Sequence, residues 1–138
     1  LSPRHTGRLR VAASFAERYT SVRPPISVVR SASVLAERFM PEQQLRDKVS
    51  SGLFRLGAKK RAYLVGPQLF AGDTRCIASS LSLPEDLVAS VTGDCGYALG
   101  SSAGCALAAL WSGLRPGAQV AMIHEGDGNS SGVLMEAV

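Results

Sequence analysis

The spacing of apolar side chains after Pro41 predicts alternating helices and strands. Pro41 and Glu42 begin a segment whose apolar residues recur at helical intervals up to Gly57, a pattern typical of a helix. Two further helices are predicted, over 74–81 and about 99–113. Short apolar runs predict strands at 62–65, 87–91, 119–124 and 133–138, separated by turns and by loops at 66–73 and 125–132. The alternation predicts a layered α/β domain with a mixed sheet.

The first forty residues give weaker signals. Residues 9–22 predict a strand with Val11, Ala13 and Phe15 on one face, ended by consecutive prolines. A short strand is predicted at 26–29 and a helix at 31–39.

The helix predicted between Leu99 and Trp111 lacks a polar face. Its only polar residues are Ser101 and Ser102, at its N-terminal end. A helix that is apolar all round needs cover all round, and small side chains let a second backbone approach closely. We therefore expect this helix between two layers or against a second, similar domain. The alternative is a two-layer core with an oversized apolar helix.

Length and composition limit the classes of protein. The 138 residues fit one domain, and 46% hydrophobic residues argue against disorder. No apolar run reaches the roughly 18 residues of a membrane-spanning helix, and no secretory signal is recognised. Because the sequence begins with Leu1 rather than methionine, we expect a processed piece or a fragment.

The cysteines predict a reducing compartment. Cys76, Cys95 and Cys105 are odd in number and show no pairing pattern, which favours free thiols and a cytoplasmic protein. With only His5 and His124 besides, no metal-ligand spacing occurs, so we expect neither a metal nor a cofactor.

Charge is divided unevenly along the chain. Residues 1–62 hold thirteen basic and four acidic side chains, whereas 63–138 hold two basic and seven acidic ones. Such asymmetry can indicate nucleic-acid binding, but no aromatic residues interleave with the basic ones and no binding motif accompanies them. A solvated basic surface, or a surface for an acidic carrier or a phosphate-bearing ligand, remains the alternative.

An ordered series of segments in the second half carries a family resemblance. The series is LSLPEDLVASV, GDC, GYALGSSAGCALAALWSG, LRPGAQ, VAMIH, EGDGNSSG and VLMEAV. It resembles the C-terminal half of the thiolase superfamily, nearest to beta-ketoacyl-ACP synthase III and HMG-CoA synthase. Upstream, RLGAKKRAYLVGPQLF is similar to the segment that carries His-Gln-Ala-Asn in the synthases. Residues 1–40 match weakly, as an extension or as the first strands.

The resemblance implies that residues 1–138 form a single layered α/β/α half of a thiolase-like fold. Two such halves pack their central helices together in that family, which would explain a helix without a polar face. It implies a partner half or subunit that carries the nucleophilic cysteine. It also implies an acyl carrier protein or a CoA thioester as a further partner, and neither nucleic acid nor membrane.

The chemistry of the family fits this chain poorly. A cysteine thiolate of the N-terminal half attacks the acyl thioester, and a His and an Asn of the C-terminal half stabilise the enolate oxygen. In the segment that carries His-Gln-Ala-Asn, Pro67 stands at the position of the His and Phe70 at the position of the Asn. Asp94 stands at the position of the Asn in the Gly-Asn-Thr turn. Proline cannot donate a hydrogen bond, and an ionised Asp94 would repel an enolate. Asp94 would serve only as a neutral acid or a general base.

Two catalytic candidates remain, Asp94 and Cys95, the latter just before the helix. The residues predicted to contact substrate, by the resemblance, are Gln68, Gly126, Asp127, Gly128 and Asn129. Cys105 lies within the helix and is favoured as a buried structural thiol, and His124 as a satisfied structural histidine. Asp127 is equally explained by turn chemistry.

Two hypotheses about function follow. In the first, the chain is a subunit or fragment of a ketosynthase III-like acyltransferase of fatty-acid or polyketide synthesis and completes a site with another chain. In the second, it is an inert thiolase-like subunit that stabilises or shapes an active partner. An unrelated α/β binding domain is a remote third.

Overall fold

The computed structural model describes residues 8–18, 26–27, 37–38, 42–66, 73–91, 94, 101–126 and 129–138. The helices are α1 (Glu42–Leu56), α2 (Asp73–Ser80) and α3 (Ser102–Trp111), with a 3₁₀ turn at Glu85–Leu87. The strands are β1 (Leu9–Arg18), β2 (Ile26–Ser27), β3 (Glu37–Arg38), β4 (Tyr63–Val65), β5 (Gln119–Gly126) and β6 (Asn129–Ala137).

The main sheet is mixed, as the sequence predicts. Its strand order is β1-β6-β5-β4, and β2 pairs with β3 in a separate two-stranded sheet. β6 runs antiparallel to both β1 and β5, whereas β4 runs parallel to β5. Beyond β4, Val88 forms a single parallel bridge with Leu64, and Ala89 N–H donates to the Leu64 carbonyl at 2.8 Å. The segment that begins at Val88 therefore lies beside β4 and adds one parallel bridge to that edge of the sheet.

Helices cover both faces of this sheet, because side chains alternate along each strand. On one face α1 and α2 pack over a core that includes Val49, Leu64 and Ile123. On the other, α3 packs over a second core around Val65 and Val120. The three layers confirm the predicted α/β/α architecture.

Two glycines make room for one aromatic ring between α1 and the sheet. A Cβ on Gly132 of β6 would stand 2.5 Å from the Phe15 ring, and one on Gly52 of α1 would stand 3.2 Å from it. Arg55 of α1 covers the ring, with its guanidinium carbon 4.4 Å from the centroid. The approach of α1 to β1 and β6 therefore depends on these two positions having no side chain.

α3 covers the sheet with only one side. Ser102 and Ala106 are buried against the second core, while Gly104, Ala108 and Trp111 are exposed on the opposite side. Among the described residues, the helix predicted to need cover all round is therefore covered on one side alone.

Several predicted boundaries are confirmed. α1 ends at Leu56, and Gly57 follows with a φ of 65°, the left-handed conformation that glycine adopts at helix ends. α2 and β4 lie within one residue of their predicted bounds, and α3 is described from Ser102 onwards.

Other predictions are wrong. A register shift between Val11 and Ala13 leaves Val11 62% exposed, so Val11 does not share the face of Phe15, while residues 19–22 of the predicted strand lie outside the described residues. The helix predicted at 31–39 is wrong at Glu37–Arg38, which are paired as a strand, and the rest lies outside the described residues. The strand predicted at 87–91 is a 3₁₀ turn followed by one bridge residue. The loop predicted at 125–132 is strand at 125–126 and 129–132.

Candidate functional site at the carboxyl edge of the parallel strands

The carboxyl ends of β4, β5 and the bridging segment lie at one edge of the sheet. Val65 is level with Met122, so β5 continues four residues beyond the end of β4. At about 3.3 Å per residue, the tip of the β5–β6 hairpin extends some 13 Å past Val65. Polar residues that follow parallel strands are often brought together at such an edge. This edge is the candidate functional site.

Two of the predicted substrate-binding residues, Gly126 and Asn129, lie next to the tip of the hairpin. Gly126 closes β5 and pairs with Asn129, the first residue of β6, whose side chain is exposed. Only two residues separate these strands, which is the length of the commonest β-hairpin turns. Asp127 and Gly128, the two residues between these strands in the sequence, lie outside the described residues.

Asp94 lies three residues beyond the buried Val91, and its backbone N–H donates to the Val91 carbonyl at 3.1 Å. The side chain of Asp94 is exposed. Cys95 and Gln68, the other predicted site residues, lie outside the described residues, as do Pro67 and Phe70. The structure thus brings the Asp94 segment and the hairpin to the same edge and gives no distance between them.

Cys105 and His124 are both predicted to have structural roles, and the structure agrees with this for Cys105. Cys105 is a free, half-buried thiol that packs against the α3-side core, in agreement with a structural role. His124 is exposed, and its side chain has no hydrogen-bond partner among the described residues, so the prediction of a satisfied structural histidine is wrong. β5 places His124 on the α3 face of the sheet and its neighbour Glu125 on the α1 face.

A row of polar side chains crosses three strands on the α1 face, and the sequence interpretation missed it. Glu125 of β5 is opposite Ser130 of β6, which is opposite Glu17 of β1. Glu125 and Ser130 are each 2% exposed, and the Ser130 hydroxyl donates to Glu125 Oε1. The signal for this row was the alternation Ala121, Ile123, Glu125, which continues on the core face once β5 is extended to Gly126.

The two carboxylates of the row have different electrostatic surroundings. Glu17 is bonded to Arg55 and lies 3.6 Å from Lys48 Nζ, and the Arg55 hydrogen bond holds the pKa of Glu17 below its usual value. Burial raises the pKa of Glu125, although the Ser130 hydrogen bond and the charge of Lys48 oppose the rise. Among the described residues, Glu125 Oε2 is buried without a hydrogen-bond partner. Glu125 is therefore a buried carboxyl that holds its proton more tightly than an exposed glutamate does.

We expect the free energy of unfolding to fall as pH rises above about 4.5, the usual value for Glu125, until the raised pKa is passed. The folded chain binds this proton more tightly than the unfolded chain, so the slope has this sign and is at most about 1.4 kcal/mol per pH unit for one group. Glu125→Gln removes the contribution, and its stability relative to the wild type should rise with pH. Urea unfolding across pH 4–8 measures the difference.

Ser130→Ala sharpens that test, because the lost donor stabilises the ionised Glu125. The decline should extend to higher pH in this variant and vanish in the Glu125→Gln/Ser130→Ala double variant. If the free energy of unfolding varied with pH in the same way in the wild type and in Glu125→Gln, the pH dependence would not come from Glu125.

The polar side chains in the described part of this edge include carboxyl and hydroxyl groups that do not cluster as metal ligands would. No group of three or more His, Cys, Asp or Glu side chains that could hold a metal ion occurs among the described residues. No helix in the described part of the chain has the length and apolar character to cross a membrane. Among the described residues of this edge, Asp94 presents an exposed carboxylate, whereas Glu125 and Ser130 are buried and hydrogen-bonded to each other.

Comparison with known proteins identifies the fold of the chain through solved structures alone. No family model matches the sequence, and no curated protein does. Among solved structures, 3-oxoacyl-(acyl carrier protein) synthase III, FabH, from Pseudomonas aeruginosa PAO1 is similar, with a TM-score of 0.68 and 20% identity. The similarity covers 91% of this chain and 43% of that one.

Two other structures give the same result. AbyA1, a tetronic acid condensing enzyme, aligns with a TM-score of 0.69 and 19% identity over 93% of this chain and 47% of its own. The I375W mutant of CsyB, complexed with CoA-SH, aligns at 0.74 and 9% identity over 94% and 41%. The chain therefore spans less than half the length of these three proteins and shares the fold of one part of each.

Proposed function

We propose that this chain is the C-terminal-half part of a ketosynthase III-like acyltransferase, and that it completes an acyl-thioester condensing site with a second thiolase-like half. The observation that carries the proposal is that over 90% of the chain aligns with less than half of each condensing enzyme. CoA-SH in CsyB and lauroyl-CoA in OleA from Xanthomonas campestris favour acyl thioesters as substrates.

The uncovered side of α3 supports the need for a second half. Ser101, Gly104, Ala108 and Trp111 are exposed and recur at helical spacing on one side, and a Cβ on Gly104 would meet nothing within 4 Å. A stripe of small side chains allows close approach of another helix. A large apolar surface left in water would be unfavourable by about 25 cal/mol for each Å².

The residues of this chain would contribute proton transfer and positioning. The nucleophilic thiolate would come from the partner half, while Asp94, Cys95, Gln68 and the turn at 126–129 would line the site. Glu125, one residue before that turn, is a buried carboxyl whose pKa is raised by burial, and it would support the base of the hairpin rather than contact substrate.

An inert partner subunit is the second candidate function. The specific observation that favours it is the substitution of the usual His and Asn positions by Pro67, Phe70 and Asp94. In that case the chain would stabilise or shape an active condensing enzyme through the same side of α3.

Native mass spectrometry of the complex purified through a tag on this chain tests both candidates. We expect a stoichiometric partner that carries a cysteine-bearing thiolase-like half. Ala108→Glu, which places a charge on the exposed side of α3, should abolish co-purification of the partner. Ser51→Glu, an exposed position on α1, is the matched control and should retain it. A folded monomer with no partner would overturn both candidates.

Activity of the assembled complex separates the two candidates. If this chain takes part in catalysis, Asp94→Ala or Cys95→Ala should lower kcat by about 100-fold or more, the usual contribution of a general acid or base. Asp86→Ala removes an exposed carboxylate near the opposite edge of the sheet and should leave kcat unchanged. Full activity in both site variants would leave only the inert-subunit candidate.

A further inference from the structure

A basic cavity lies at the edge of the sheet opposite to the hairpin tip. It has a volume of about 560 Å³ and is open to solvent. Its walls come from the two segments that lead into the parallel strands β4 and β5, with Tyr63 and Gln119 at the strand starts. Neither the condensing chemistry nor the exposed side of α3 uses this cavity.

Three cations line the cavity, and no acid does. They are Lys59, Arg61 and Arg115, all exposed. None of the three forms an ion pair with a carboxylate among the described residues. Glu136, which is level with Gln119 in the sheet, lies 3.3 Å from Arg10 instead. The cavity therefore concentrates positive charge without an internal counter-charge.

The dipoles of two helices offset only part of this positive charge. α1 and α3 both end at this edge, shortly before Lys59 and Arg115 respectively. The carboxyl end of a helix carries about half a negative charge, so two ends offset about one of the three cations. The remaining positive charge needs another partner.

The walls are held in place before any ligand binds. Lys59 N–H donates to Gln119 Oε1 at 3.1 Å, which joins the two segments directly. The second segment is a tight turn in which Ala118 N–H donates to the Arg115 carbonyl. Gly117 adopts a φ of 82° there, and its N–H donates to the Ala137 carbonyl of β6. Cations carried on fixed turns lose little conformational freedom when they bind an anion.

We propose that this cavity is a binding site for a small polyanion that carries phosphate groups, either free pyrophosphate or the diphosphate of a nucleotide. Two guanidinium groups and an ammonium group fit several phosphate oxygens at once, because arginine presents paired N–H donors that match phosphate geometry. The site is independent of the proposed condensing function.

Titration of the full chain with pyrophosphate, at an ionic strength held constant with sodium chloride, tests the proposal. Calorimetry should show saturable binding, and NMR should place the amide shifts at 59–63 and 113–119. Arg61→Glu should weaken binding by about tenfold, since it reverses one charge within a few ångströms of the anion. Lys60→Glu makes the same change in net charge at a neighbouring residue that does not line the cavity, and should weaken binding less than twofold.

The comparison of ligands identifies the source of the phosphate. ADP that binds more tightly than pyrophosphate, with adenosine not binding, would support a nucleotide diphosphate. Equal affinities for ADP and pyrophosphate would support recognition of the phosphates alone. Equal weakening by Arg61→Glu and Lys60→Glu, or amide shifts spread over the basic surface, would overturn the site. Arg115→Gln gives a second variant with the same expected direction.

Discussion

Leu64→Ala is expected to destabilise the chain by about 4 kcal/mol, within the range for leucine truncation in a core. Leu64 is 0% exposed and lies in the middle of β4, between β5 and the bridge to Val88. Truncation removes buried apolar surface and leaves a cavity that three layers of structure cannot close easily. Urea unfolding monitored by circular dichroism measures the change.

Val11→Ala is the control for that experiment. Val11 lies on an edge strand beside the register shift and is 62% exposed, so its truncation should change stability by less than about 0.5 kcal/mol. A similar loss in both variants would mean that Leu64 is not in the core of the molecule.

Gly132→Val is expected to destabilise the chain by about 3 kcal/mol, at the upper end for overpacking. The new Cβ alone would stand 2.5 Å from the Phe15 ring and 3.2 Å from both a Leu56 methyl and the Met122 carbonyl oxygen. The ring cannot swing away freely, because Arg55 lies over it. Thermal unfolding should show a fall in Tm.

Gly104→Ala is the matched glycine substitution. Its Cβ would enter open space in the middle of α3, so alanine should stabilise the helix by about 0.5–1 kcal/mol. Opposite signs at the two glycines are the expected result. A loss of stability at Gly104 would contradict the exposure of this side of α3 in the chain alone.

The sequence predicts the elements whose periodicity is uninterrupted. α1 was predictable because its apolar spacing, a proline at one end and Gly57 at the other all agree. The face of Val11 was not, because a register shift in β1 depends on how β6 pairs with it, and no local pattern encodes that pairing. At Glu37–Arg38 the pairing with β2 prevailed over a helical spacing of a few residues.

The sequence predicts which segments meet at the candidate edge, but it does not predict the burial of Glu125. The resemblance directs attention to the turn after β5, and the parallel pairing of β4 with β5 brings that turn to the expected edge. Glu125 was missed because its segment was interpreted as a loop, where a carboxylate needs no partner. Its burial becomes evident only when Ser130 is known to lie opposite it.

The pairing of the first strand with the last has a consequence for synthesis of the chain. Leu9 pairs with Ala137, and Val138 N–H donates to the Arg8 carbonyl at 2.9 Å. During synthesis, β1 has no partner in this sheet until β6 is made, so among the described strands the sheet is completed only by its last one. Contacts so distant in sequence slow folding, and an unpaired strand is open to pairing with other chains.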